Sequence, residues 1–304
     1  MEFAFLVAAS ERIYYILIKG AHKMQKSFAR TDLAVEANSR LDKQYKGVVS
    51  EELTISNCKA SRVSVTDDEA AQALGKPIGD YFTLEMEKYV SRAENSFSDC
   101  ANALALLLNK FSFIQNAKSV LVACLGNRAV TPDAIGPDTA DSLIVTRHLK
   151  SSLPEQFSAF SSVSVFRTGV LGTTGIESAD GLKAICDFVK PDCVIAVDAL
   201  ASGELDRLCK NVQICNTGIS PGSGVGNNRA ALNYDFLGVP VAAIGVPTVI
   251  DAAAFTEAEE AKGLFVTPRN IDELVRSSAK LIAYGINLAV HKGLTIEDID
   301  MLVE

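Results

Sequence analysis

Short runs of apolar, largely β-branched residues alternate along this chain with longer stretches whose apolar positions recur every three or four residues. The runs at 119–125 (SVLVACL), 162–166, 193–200 (CVIAVDAL), 212–215 and 239–245 have the length of strands. Their unbroken apolar character predicts strands buried on both faces. Residues 95–113, 139–149, 177–189 and 271–291 carry helical spacing, with a shorter helix near 204–209 and a capped one from Thr295. Strands alternating with helices from 119 to 250 predict an α/β fold of three layers, with a doubly wound, mostly parallel sheet and helices on both faces. Upstream, 59–65 and 80–85 predict strands of a small N-terminal, β-containing decoration. Between them a helix over 67–74 starts at Thr66 or Asp67 and stops at Gly75-Lys76-Pro77.

The first 30 residues do not fit this scheme. Their apolar start is interrupted by Glu11 and Arg12, and no run reaches the ~18–20 residues of a membrane-crossing helix. They read as a leader outside the core, with Met24 an alternative first residue and no membrane as partner. The expected division is a leader over 1–32 and a single α/β domain over 33–304, with a small N-terminal subregion at about 33–92.

Composition narrows the function classes. The 304 residues are 48% apolar and 22% charged, the balance of a globular protein. A net charge of −8 disfavours nucleic acid as a direct partner and fits a cytoplasmic location. The seven cysteines, among them Cys124, Cys186, Cys193 and Cys215 inside apolar runs, form no CxxC pair. They read as buried, reduced thiols and not as a zinc site. Only three histidines are present, His22, His148 and His291, which leaves few candidates for a histidine metal centre or a Ser-His-Asp triad. No metal and no cofactor is expected.

Four loops rich in glycine, proline and threonine follow strands, at 126–137, 167–176, 216–228 and 245–251. Loops held at strand ends by a rigid sheet are where chemistry collects. Two acids are presented there: Asp133 in TPDAIGP and Asp198 at the end of CVIAVDAL. Two carboxylates at one sheet edge can share a proton, because repulsion raises the pKa of one of them. Each acid alone also has a structural explanation, Asp133 as a turn residue and Asp198 as a strand-end helix cap. Asp138 and Asp141 read as first-turn helix acids, and Asp251 as a cap. The loop SPGSGVGN, ahead of a helix from Asn227, lacks the Lys-Ser/Thr ending of a phosphate loop and better suits close backbone approach to a substrate or partner. Gly126, Asn127, Gly172, Gly222 and Gly224 are the substrate or loop candidates.

Seven motifs occur in a fixed order: RTDLAVEA, GDYFTLE, LGNRAVTPDAIGP, TGVLGTTGIES, VIAVDALA, TGISPGSGVGN and LGVPVAAIGVPTVIDA. Together, over roughly residues 30–290, they resemble the germination protease family of spore-forming Firmicutes. The resemblance implies an aspartic-type endopeptidase that degrades small acid-soluble spore proteins in the spore core during germination. It implies a zymogen, a homotetramer and an α/β fold related to hydrogenase-maturation endopeptidases, in which equivalent acids can hold a metal. The catalytic acids would be Asp133 and Asp198. One would take a proton from water while the other, protonated, gives one to the carbonyl oxygen, with backbone N–H groups of a Gly-rich loop facing the developing oxyanion. The family cuts after the glutamate of Thr-Glu-Phe/Ile-Ala, and Thr31-Asp32-Leu33-Ala34 has the same character. The resemblance therefore implies self-processing between Asp32 and Leu33. The chain departs from the family pattern in its longer leader, in Ser220 where histidine is usual, and in Arg128 where a bulkier apolar residue is usual. Two rival readings use the same residues: a metal-dependent peptidase with the acids as ligands, and an inactive homologue that acts as a binding protein.

Overall fold

The computed structural model describes residues 30–226, 229–255, 261 and 263–303. The leader up to residue 29 and the start of the helix expected from Asn227 lie outside the described residues. Among the described residues there are nine strands: β1 (Val48–Ile55), β2 (Cys58–Val65), β3 (Gly79–Glu85), β4 (Ser119–Leu125), β5 (Ser162–Gly169), β6 (Cys193–Ser202), β7 (Asn211–Cys215), β8 (Val241–Asp251) and β9 (Phe265–Val266). They form one sheet in the order β1-β2-β3-β7-β8-β6-β4-β5, with β9 on the end of β8. The pairs β5/β4, β4/β6 and β6/β8 are parallel, and the remaining pairs are antiparallel.

The apolar runs become central strands because both faces of the sheet are covered. Along β4 and β6 successive residues go to opposite faces, as the two-residue strand period requires. Val120, Val122, Cys124, Ile195 and Val197 enter one core, built with helices Ser96–Leu108 and Ile271–Val290. Leu121, Ala123, Val194 and Ala196 enter the other, against helix Ser178–Val189. The two long helices of the first face approach closely because Gly285 has no side chain. A Cβ there would lie 2.0 Å from Leu104. All seven cysteines are buried and free of disulfides.

Three expectations change. The N-terminal strands do not make a separate small sheet, because β3 pairs antiparallel with β7 and so continues the main one. Residues 245–251 are not a loop: β8 runs on to Asp251, with β6 beside it to Ser202 and β9 closing its far end. The helix expected over 139–149 splits into Ile135–Thr139, a tight turn over Ala140–Ser142 and Arg147–Ser152. Tertiary partners take the backbone between these pieces. Asn287, fully buried, accepts from Ile144 N–H (3.0 Å) and donates to the Ser142 carbonyl (2.9 Å). Thr146 pairs with Val163 through both its N–H (3.1 Å) and its hydroxyl (2.9 Å).

The chain leaves β4 for β5 on one side and returns to β6 on the other. Open parallel sheets place their sites in the crevice beyond the strand ends at such a reversal.

Candidate active site

Asp133 and Asp198 meet at that crevice. Asp198 lies within β6, paired in register with Gly245 of β8, and is only 5% exposed. Its Oδ1 accepts the Ala199 N–H at 2.9 Å. Asp133 follows β4 through a reversal at Gly126, whose φ is +110°. A Cβ at Gly126 would lie 2.1 Å from the Asp133 carbonyl oxygen, so glycine is required there. The Asn127 N–H donates to that oxygen (3.0 Å) and to Asp133 Oδ2 (2.9 Å). From β8, the Thr248 hydroxyl donates to the Pro132 carbonyl at 2.7 Å. The turn carrying Asp133 is thus tied to the strand on the far side of β6.

Both acids hold their protons more tightly than free carboxyls do. Burial pushes the Asp133 carboxyl up from 3.8 to about 6, against the Asn127 hydrogen bond and the positive charge of Arg229. Asp198 is raised well above the usual carboxylate range, chiefly by burial and then by the charge of Asp133. The Ala199 N–H and Arg229 oppose that rise, while Asp32 adds to it. Both carboxyls are thus raised by burial, and the charge of Asp133 raises Asp198 further, the coupling through which two neighbouring carboxyls can share a proton.

Asp32 is the third acid at the site, held by both its backbone and its side chain. Its N–H donates to the Ala201 carbonyl at 2.9 Å. Its carboxylate accepts from Ala201 N–H (2.8 Å) and the Ser223 hydroxyl (2.9 Å). Its carbonyl oxygen accepts from Lys76 Nζ (2.8 Å) and Gln213 Nε2 (2.9 Å). The next residues, Leu33 and Ala34, are fully buried, and helix Ala34–Ser39 begins there. That helix is anchored by Glu36, also fully buried, whose carboxylate accepts from the Ser202 hydroxyl (2.5 Å) and Gly203 N–H (2.7 Å).

Gly126 and Asn127 thus stand against Asp133, and Gly224 against Asp32, where its Cβ would lie 2.1 Å from Oδ2. Gly222, with φ +76°, supplies the left-handed turn that starts the segment Ser223–Val225. Ser220 lies in the same loop, its carbonyl accepting the Ser223 N–H at 3.2 Å. Gly172 is not brought to the acids: it sits in the exposed helix Leu171–Thr174 after the edge strand β5, with open space around it. Asp251 caps the turn after β8 by accepting from Ala253 N–H at 2.9 Å. Asp141 pairs with Arg128 and Arg167, and Arg128 also reaches Asp138, so these charges form their own cluster. Among the described residues, no three of His, Cys, Asp and Glu gather as a set able to hold a metal ion.

Sequence reasoning missed Arg229, Lys76, Gln213, Ser223 and Thr248. No spacing marks them. They come from the connection before β3, from β7, from the β7–β8 connection and from β8, and the sheet order brings these segments together.

The family model for germination protease matches residues 27–261. A germination protease of Caldanaerobacter subterraneus is 40% identical, over 90% of this chain and 98% of that one. One from Clostridium perfringens is 37% identical over 89% of this chain and 98% of its own length. One from Bacillus cytotoxicus is 38% identical over 90% of this chain and 77% of its own. Among solved structures, a nickel–iron hydrogenase maturation protease of Thermococcus kodakarensis superposes with a TM-score of 0.36 at 20% identity, over 60% of this chain and 98% of that one.

Proposed function

The chain belongs to the germination protease family, and from that premise we propose that it is an aspartic-type spore endopeptidase whose catalytic pair is Asp133 and Asp198. The observation that carries this is the meeting of two carboxyls at the strand reversal, Asp198 buried in β6 and Asp133 close enough that its charge raises Asp198 further. Asp133, ionised, takes a proton from a water molecule as the water oxygen attacks the peptide carbonyl carbon. Asp198, protonated, supplies a proton as the C–N bond breaks. The pair then exchanges its proton to return to the starting state.

The substrates are small acid-soluble spore proteins, cut after an acidic residue and before a large apolar one. The chain is a zymogen that cuts itself between Asp32 and Leu33, removing 1–32, and it works as a homotetramer in the spore core. Support for self-processing comes from the place of Asp32 beside Ala201, three residues after Asp198 on β6, and from its charge being felt at Asp198. Among the described residues, no helix is long and apolar enough to cross a membrane.

Separate Asp133→Asn and Asp198→Asn variants test the pair. Each is expected to lose self-processing, read by intact mass, and cleavage of a peptide containing Thr-Glu-Ile-Ala. A near wild-type rate in either variant would refute it.

A further inference from the structure

Residues Thr31 to Ala34 already lie across the site in the manner of a bound peptide. Every polar group around the Asp32–Leu33 bond is held. The carboxylate of Asp32 is shared between Ala201 N–H and the Ser223 hydroxyl, and its N–H is taken by the Ala201 carbonyl. The side-chain amide of Gln213, itself 7% exposed, spans the bond. Its Nε2 donates to the carbonyl of Asp32 at 2.9 Å, and its Oε1 accepts from Ala34 N–H at 2.6 Å. A flipped amide would set donor against donor and acceptor against acceptor, so this network fixes its orientation.

Lys76 is the informative residue. Burial pushes its amine down, with the charge of Asp32 the leading opposing influence, yet its hydrogen bond goes to a neutral carbonyl oxygen at 2.8 Å. A desolvated ammonium on a neutral acceptor is a poor structural device. It suits an oxygen that becomes negative when its carbon is attacked. Gly224 gives the acid its seat, since a Cβ there would lie 2.1 Å from Asp32 Oδ2.

We propose that the groove now filled by residues 31–34 is the substrate groove, in which Ala201 N–H and Ser223 select the acidic side chain before the cut bond while Lys76 and Gln213 hold its carbonyl oxygen. This rests on the peptidase function proposed above. As the water oxygen bonds to the carbonyl carbon, the π electrons move onto the oxygen, and Nζ and Nε2 meet the charge. Both lone pairs of the starting carbonyl are then occupied, so the proton of Asp198 goes to the leaving nitrogen, which departs as the amine, while Asp133 retains the proton from water.

The test starts from the full-length chain, lets it process itself, and follows cleavage of peptides containing Thr-Glu-Ile-Ala or Thr-Gln-Ile-Ala. The wild type is expected to prefer the glutamate peptide. Ser223→Ala is expected to reduce that preference in kcat/KM by about 10-fold, the scale of one lost hydrogen bond to a charged group. Gly224→Ala, at a backbone angle alanine accepts, is expected to do the same. Lys76→Met is expected to lower kcat about 100-fold on both peptides with little change in KM, to slow self-processing alike, and to be partly rescued by Lys76→Arg. An unchanged glutamate-to-glutamine ratio in both Ser223→Ala and Gly224→Ala, with an active wild type, overturns the groove and leaves the peptidase standing. A wild type that cuts neither itself nor either peptide overturns the peptidase function and the groove with it.

Discussion

Asp133 is a partly buried carboxyl whose titration bears on stability and, on the proposed mechanism, on activity. The pKa of Asp133 rises from 3.8 to about 6 on folding, so between those values the folded state holds a proton that the unfolded chain has released. Stability therefore falls as pH rises from about 4 to about 6 and stays lower above that window. Asp133→Asn removes the buried charge. It is expected to raise Tm over wild type at pH 8, with the gain shrinking towards pH 4, as calorimetry would read. Activity has the opposite sign. kcat/KM is expected to climb as Asp133 ionises through about pH 6 and to fall at higher pH when Asp198 loses its proton. A profile that is flat between pH 5 and 7 would remove Asp133 as the base. Gly126 belongs to the same scale, because only a residue without Cβ lets the backbone of Asp133 close on the end of β4.

Elements are locked around the crevice by backbone contact. The helix Ile135–Thr139 starts so close to the sheet that a Cβ on Gly136 would lie 2.2 Å from the Leu125 carbonyl oxygen and 2.7 Å from that of Val197. Both obstacles are backbone atoms of central strands, which cannot swing aside. Gly136→Ala is expected to destabilise the fold at the upper end of the ~1–3 kcal/mol typical of overpacking, as chemical denaturation would measure. It is also expected to lower activity in the population that stays folded, because the helix and the Asp133 turn move together. Wild-type stability in this variant would show the contact to be looser than described. The break in the segment 139–149 has the same origin. Its spacing suits a helix, but Asn287 and Thr146 satisfy the backbone in an extended form, and buried amides go where their partners are.

At the scale of the molecule, the sheet is one continuous hydrogen-bonded surface from β1 to β5. The junction between β3 and β7 runs over five residue pairs, from Tyr81↔Cys215 to Glu85↔Asn211. Phe82 and Leu84 on β3 enter the same core as the central strands. Unfolding is therefore expected to be a single cooperative transition, with β1–β3 and the parallel strands losing structure together. Coincident curves by far-UV circular dichroism and by hydrogen exchange resolved along the chain would bear this out. An early, separate loss of 48–85 would mark the N-terminal strands as an independent unit.

The sequence by itself determined the α/β class, the central strands and the long helices, because apolar periodicity and Gly/Pro punctuation are local properties of the chain; it singled out Asp198 as a strand-end acid, whereas β6 runs on past it to Ser202. It also carried the family, since seven motifs in order survive without reference to space. Only the tertiary structure decided the strand order, and with it the reversal between β4 and β6 that turns two separate acids into coupled neighbours. The same order carried β3 onto β7 and so brought Lys76 and Gln213 to the carbonyl of Asp32. Those contacts join residues 44 and 181 positions apart, a separation at which no local pattern holds information about proximity.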